Sequence, residues 1–179
     1  MDRPLIAESE LVKIAVVSKD DIHALWVIDN DPEGARFLRF PGEIYLQNDM
    51  EKLLERLSSE KERLRLYTIL VAPELEVAGS IGLYDIDWRR RSAYIGYGIA
   101  KKFWNRGIMS ESVRLMVSYS FVTMNLRKLV SSVMAPNIAS MRVLEKNGFS
   151  RVGTFRENGY VPGVGWADEV YYELFSKNG

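Results

Sequence analysis

The residues best suited to chemistry gather at Trp104-Asn105-Arg106-Gly107-Ile108-Met109-Ser110, where a β-branched, glycine-containing run gives way to an amphipathic one. Glycine in a strand-to-helix turn lets the main chain approach a ligand closely. The first N–H groups of the helix that follows have no partner inside it. Aimed at a phosphate or pyrophosphate, those donors and the helix dipole make an anion site. The Walker and dinucleotide glycine patterns are both absent. Taken alone, such a turn is equally ordinary structure. A second segment, Asn137 to Phe149, opens a helix with Asn137 and closes it with Gly148-Phe149; Asn137 is by itself a natural helix cap. Cysteine is absent, which excludes disulfides, thiolate metal sites and a cysteine nucleophile. His23, the one histidine, cannot build a multi-histidine metal site and reads as an exposed helix residue.

The elements that must position these residues follow from pattern. Residues 11–17 are β-branched and predict a strand. Ser18, three residues before Asp21, is a capping-box-like start for a helix carrying Ile22, Leu25 and Trp26, ended by Asn30-Asp31-Pro32. A short helix over 33–38, stopped at Pro41-Gly42, and a longer one over 47–60 follow. Strands at 65–72 and 76–86 are joined by a tight turn at Pro73-Glu74. A third strand of this run covers 93–100, after a loop at Trp88-Arg89-Arg90-Arg91 that reads as a solvated turn. Helix 110–124, strand 128–134, helix 138–147 and strands 149–156 and 169–175 complete the chain. Tyr160 to Trp166 reads as a glycine-rich loop, either a wall for a pocket or a plain connection. Strands outnumber helices, so the class is α+β with a mixed sheet covered by helices.

Length and composition agree with a single domain over 1–179, core about 11–175. The chain is 47% hydrophobic and 27% charged, enough to bury a core and stay soluble. Lys+Arg and Asp+Glu are both 24, which argues against a nucleic-acid binder. No apolar run reaches the roughly 18–20 residues of a membrane span, and Met1-Asp2-Arg3-Pro4 is unlike a secretory signal. A cytoplasmic protein is expected.

In this order and at this separation, the two segments resemble motifs of the GNAT superfamily of acetyl-CoA-dependent N-acetyltransferases. The pattern Gln/Arg-x-x-Gly-x-Gly/Ala after the fourth strand is met by Trp104 through Met109. Asn-x-x-Ser leading to Glu-Lys-x-Gly-Phe is met by Asn137 through Phe149. Trp104, Met109-Ser110-Glu111 and the entry Trp26…Asn30-Asp31-Pro32-Glu33 are similar to the branch of ribosomal-protein N-terminal and spermidine acetyltransferases. Three positions depart from the pattern. Met109 stands where Gly or Ala is commonest, Tyr94 where many members carry glutamate, and Leu144 where several branches carry a tyrosine acid.

The resemblance implies a mixed, mostly antiparallel sheet splayed between the fourth strand (93–100) and the fifth (128–134), with the pantetheine arm of acetyl-CoA entering the gap. It implies that the Tyr97 N–H polarises the thioester carbonyl and that the Ile99 backbone bonds the pantetheine amides. Main-chain N–H groups from Asn105 through Gly107 and Met109 to Ser110 would hold the pyrophosphate, helped by Arg106. Asn137 would bond the arm. Ser140 would protonate the departing thiolate, or is simply a small helix residue. Asp85, Asp87, Glu157 and Asp168 are candidate bases acting through water, each also suited to a capping role. The implied reaction is direct attack of a primary amine in a ternary complex, without a metal. At pH 7.5 deprotonation costs well under 1 kcal/mol for an α-amine of pKa about 7.8 and about 4 kcal/mol for an amine near 10.4. Lack of a fourth-strand glutamate therefore favours a protein or peptide N-terminus. A polyamine or other small amine and a non-catalytic acyl-CoA-binding module are the alternatives; a homodimer is left open.

Overall fold

Buried runs such as residues 67–71 and alternating ones such as residues 128–134 set the strands, and apolar faces set the helices. The computed structural model describes residues 3–37 and 46–177. In chain order the elements are β1 (Leu5–Glu8), β2 (Val12–Val16), α1 (Ile22–Asp29), α2 (Gln47–Ser59), β3 (Arg65–Val71), β4 (Glu76–Asp87), β5 (Ser92–Ile99), α3 (Ile108–Ser118), β6 (Lys128–Met134), α4 (Ile138–Lys146), β7 (Ser150–Val161) and β8 (Gly165–Phe175). Among the described residues they form one eight-stranded sheet ordered β1-β2-β3-β4-β5-β6-β8-β7. Its pairs are antiparallel except β5 with β6, which α3 connects as a crossover. The strands counted fourth and fifth in the sequence are thus β5 and β6, because the four-residue β1 precedes them.

One face of the sheet packs on α3 and α4. Ile69, Ile81, Leu83 and Ile95 of the strands meet Val113 and Met116 of α3 and Leu144 of α4 in the main core. Each such side chain removed from water contributes about 1.5–3 kcal/mol. On the other face α1 and α2 make a smaller core of Ile22, Leu25 and Met50 with Trp26, Leu53 and Leu66. Half of the Ser18–Asp21 capping box forms, the Ser18 N–H donating to the Asp21 carboxylate at 2.9 Å while the buried Ser18 hydroxyl has no partner among the described residues, and Asp21 does more than cap. Its buried carboxylate takes a bidentate pair from Arg3 at 2.8 and 2.7 Å and the Thr68 hydroxyl at 2.7 Å. Burial pushes its pKa up, but the bonds from Arg3, Thr68 and the Ser18 N–H outweigh that and hold it below the usual carboxylate range.

Some expectations need correction. The helix at 33–38 is only a 3₁₀ turn over Ala35–Phe37, and its proposed stop at Pro41-Gly42 lies outside the described residues. The helix drawn to residue 124 ends at Ser118 and continues as a π-turn over Tyr119–Thr123. Residues 160–166 are a hairpin tip, not a loop: β7 runs to Val161, β8 starts at Gly165, and Tyr160 faces Trp166 across the pair. Gly163 and Gly165 take left-handed φ of 77° and 103° in that turn, and their presence masked two strand ends at which Tyr160 and Trp166 are exposed while Val161 is buried.

Candidate active site

Main-chain hydrogen bonding along β5 builds the centre of the site. Gly98 pairs with Ser80 and Tyr97 with Ile81, and the Ala100 N–H donates to the Ala78 carbonyl at 2.8 Å. An antiparallel ladder alternates, so residues 98 and 100 bond β4 while the N–H and C=O of Tyr97 and Ile99 turn toward β6. They do not meet it. The β5–β6 pairing covers only Ser92–Lys128, Ala93–Leu129 and Tyr94–Val130, followed by one link from the Ser131 hydroxyl to the Ile95 carbonyl at 3.0 Å. Beyond this point β5 stays on β4. Gly79 permits that contact, since a Cβ there would lie 2.1 Å from the Gly98 oxygen. Meanwhile β6 stays on β8 as far as Met134, and the Ala135 N–H reaches the Asp168 carbonyl at 2.8 Å. The two strands therefore part, and a notch with main-chain donors and acceptors on its walls opens between them.

The notch leads to the start of α3. Buried Phe103 anchors the connecting turn, with Lys102 and Arg106 over its ring at 5.2 and 5.4 Å. The Trp104 indole N–H donates to the Ile99 carbonyl at 3.0 Å, leaving the Ile99 N–H as the group on the notch. Asn105 and Gly107 adopt left-handed φ of 57° and 77°, a conformation glycine enters freely. A Cβ on Gly107 would meet nothing within 4 Å, so its surface is open. The first bond of the helix runs from the Glu111 N–H to the Gly107 carbonyl at 3.0 Å. The N–H groups of Ile108, Met109 and Ser110 thus lack a helical acceptor. Met109 buries its side chain and offers only its main chain, while Arg106 stays exposed. Asn147 ties α4 to this turn, donating to the Ser110 carbonyl at 3.1 Å.

From α4, Asn137 caps the helix by accepting the Ser140 N–H at 3.1 Å. The Ser140 hydroxyl lies 3.0 Å from the Tyr97 hydroxyl, which also donates to the Ser140 carbonyl at 3.3 Å. Burial pushes the Tyr97 phenol up to about 12, with the Ser140 bond pulling the other way. Sequence reasoning used only the Tyr97 N–H; the meeting of its phenol with Ser140 depends on how α4 docks. Leu144 is fully buried, with no contact to the notch as an acid.

The candidate carboxylates are scattered. Asp85 is exposed and 3.5 Å from Arg63, and Asp87 accepts the Arg90 N–H at 2.8 Å. With Trp88, Tyr94 and Val130 they border a surface cleft of about 490 Å³ beside the paired end of β5 and β6. Asp168 and Glu157 are brought together, with the Glu157 N–H donating to Asp168 at 2.9 Å. That contact holds a β7 bulge at which Glu157 has φ 48°. Among the described residues no cluster of three His, Asp or Glu side chains could hold a metal, and no helix is long and apolar enough to cross a membrane. His23 is exposed and stacks on Trp26 with ring centroids 5.8 Å apart.

Comparison with known proteins agrees with this geometry. The family model described as "Acetyltransferase (GNAT) domain" matches residues 12–150. The probable N-acetyltransferase YjcK of Bacillus subtilis (strain 168) is 39% identical over 115 residues, 64% of this chain and 62% of that protein. Among solved structures, spermidine N-acetyltransferase from Vibrio cholerae in complex with CoA and spermine superposes with a TM-score of 0.84 at 19% identity, covering 93% of this chain and 96% of that one. RimL, a ribosomal L7/L12 alpha-N-protein acetyltransferase in complex with coenzyme A, gives 0.84 at 22% identity, covering 96% and 98%. The splayed sheet, the unpaired donors at the start of α3 and the match over most of the chain lead to one conclusion: this protein belongs to the GNAT acetyltransferase family.

Proposed function

We propose that this protein transfers the acetyl group of acetyl-CoA to the α-amine of a protein or peptide by direct attack. The observation that carries the reading is the continuity of the notch with the α3 N-terminus, which puts unpaired N–H groups along one extended path. An extended pantetheine arm supplies the amides such strand edges pair with, and a diphosphate suits the helix end. The two superposed enzymes named above bind coenzyme A, and the residues here fit the same ligand.

In this mechanism the Ile99 N–H and the Asn137 side-chain amide orient the arm, and Ile108, Met109 and Ser110 N–H groups with Arg106 hold the phosphates. The Tyr97 N–H donates to the thioester oxygen as it gains charge, the kind of donor whose removal costs about 10²–10³ in rate. Ser140, bonded to Tyr97, donates a hydrogen bond to the departing sulfur. The proton that neutralises the thiolate comes from the attacking nitrogen, which must lose one as its N–C bond forms. Tyr94, 43% exposed at the position where a glutamate base is common, favours an acceptor that deprotonates readily. The test is release of free CoA thiol across N-terminal peptides, polyamines and aminoglycosides. Turnover of peptides above the other amines is expected. Preference for polyamines would transfer the acceptor class, and CoA binding without any turnover would make the chain an acyl-CoA-binding module.

A further inference from the structure

Register places one carboxylate beside the notch that the sequence reading passed over. Val170 and Tyr172 of β8 face α3 and α4, so Glu169 and Tyr171 face the opposite side of the sheet, the side of α1 and α2. Glu169 sits directly across from Met134, and Tyr171 across from Ser132. Counting on from the Tyr94–Val130 pair, Gly98 lies at the level of Met134. Glu169 is therefore level with Tyr97 and Gly98, separated from the notch only by β6, about 4.8 Å of sheet. The space above Gly98 is open, because a Cβ there would meet nothing within 4 Å. Both bonds to the carboxylate go to one oxygen: Asn158 Nδ2 donates to Glu169 Oε2 at 2.6 Å and the Tyr171 hydroxyl at 3.0 Å. Oε1 takes no bond among the described residues. Tyr171 is itself steadied by the Phe155 ring, 4.9 Å away.

We propose that Glu169 is the carboxylate that receives the acceptor amine. This rests on the acetyltransferase reading above and names the base that reading lacks. An ammonium arriving over Gly98 gives a proton to Glu169 Oε1, directly or through one water. The free amine then forms its N–C bond to the thioester carbon. The C–S bond breaks, the electron pair leaves with sulfur, and the second nitrogen proton neutralises the thiolate. Glu169 returns its own proton to solvent. The surrounding charged and titratable groups are Tyr171, the Lys128–Glu173 pair (3.4 Å between its charged ends) two same-face steps along, and Arg156 and Glu157 in the β7 bulge. On β6, Ser132 and Met134 bring none. Asp168, one residue earlier, points to the other face and serves the bulge.

The test compares wild type, Glu169→Gln and Glu169→Asp. Thiol-release rates are taken from pH 7 to 10, and amine affinity is measured by titrating spermidine or a free-N-terminus peptide into protein saturated with unacylated CoA. Glu169→Gln should lose about a hundredfold in kcat/KM at pH 7 with spermidine and no more than about tenfold with the peptide, whose α-amine is already partly neutral there, and the deficit should shrink toward pH 10 as the amine deprotonates unaided. Its amine affinity should drop about tenfold at unchanged CoA affinity, with Glu169→Asp in between. An equal deficit at every pH, or amine binding and turnover like wild type in Glu169→Gln, would overturn the assignment while leaving the acetyltransferase reading intact. Failure of wild type to bind CoA at all would overturn both.

Discussion

Changing Tyr97 to phenylalanine tests whether the phenol and Ser140 act as one unit. The substitution keeps the ring and the main-chain N–H but deletes a hydroxyl 3.0 Å from Ser140 Oγ and 3.3 Å from its carbonyl. Loss of a neutral, part-buried bond should cost about 1 kcal/mol of stability. In the proposed mechanism Ser140 bonds a developing thiolate, and a hydrogen bond to a charged group is worth about 1.5–3 kcal/mol. If Tyr97 orients that bond, Tyr97→Phe lowers kcat by about 10–150-fold and leaves CoA affinity within twofold. Ser140→Ala should lose a similar factor, and the double variant little more, because both remove the same interaction. The assay is thiol release at saturating substrates, with CoA calorimetry and thermal unfolding as controls. With the phenol raised from 10.0 to about 12, its neutral form is favoured by folding. The rate profile should then show no tyrosine limb between pH 6 and 9, and stability should fall on this account only above pH 10. Unchanged kcat in Tyr97→Phe, or a double variant whose loss is the product of the singles, would refute the pairing.

Two other outcomes follow from single residues. Gly107→Ala, left-handed but with open space at its Cβ, should cost about 1–2 kcal/mol of stability and keep CoA affinity within a few-fold. Gly107→Glu should abolish that affinity by setting an anion against the phosphates; calorimetric titration with CoA decides, and retained binding would mean the turn is not the phosphate site. Asp29 lies on the inner side of α1, and burial pushes its carboxyl from 3.8 up to about 6. The fold favours its protonated form, so wild type loses stability as pH rises from about 4 to 6. Asp29→Asn should be more stable at pH 7.5 by about 1–2 kcal/mol after solvent screening, a few degrees in Tm, and no more stable at pH 4. Equal melting at both pH values would show that Asp29 is solvated.

Local patterns carried most of the elements. The helical spacing of Met50, Leu53, Leu54 and Leu57, the Asp21 bond back to the Ser18 N–H and the Gly148 stop each depend on neighbours within a turn or two, and each is found. So is the strand-to-helix turn at Gly107, because a left-handed glycine and the unpaired N–H groups behind it arise within six residues. What failed lay in runs whose fate is decided elsewhere. Leu5–Glu8 is too short to read as a strand until β2 supplies its partner, and the 160–166 hairpin carries turn residues on strand ends.

The sequence by itself determined the family, the strand-to-helix turn at Gly107 and the cap at Asn137, since these are short-range statements about backbone conformation and unmet hydrogen bonds. Tertiary structure alone decided that Tyr97 meets Ser140, 43 residues away, and that Glu169 pairs across from Met134 on the strand beside the notch. Side chains alternate faces every residue along a strand, so a carboxylate's role turns on the register and order of strands far apart in the chain, and no local pattern encodes that.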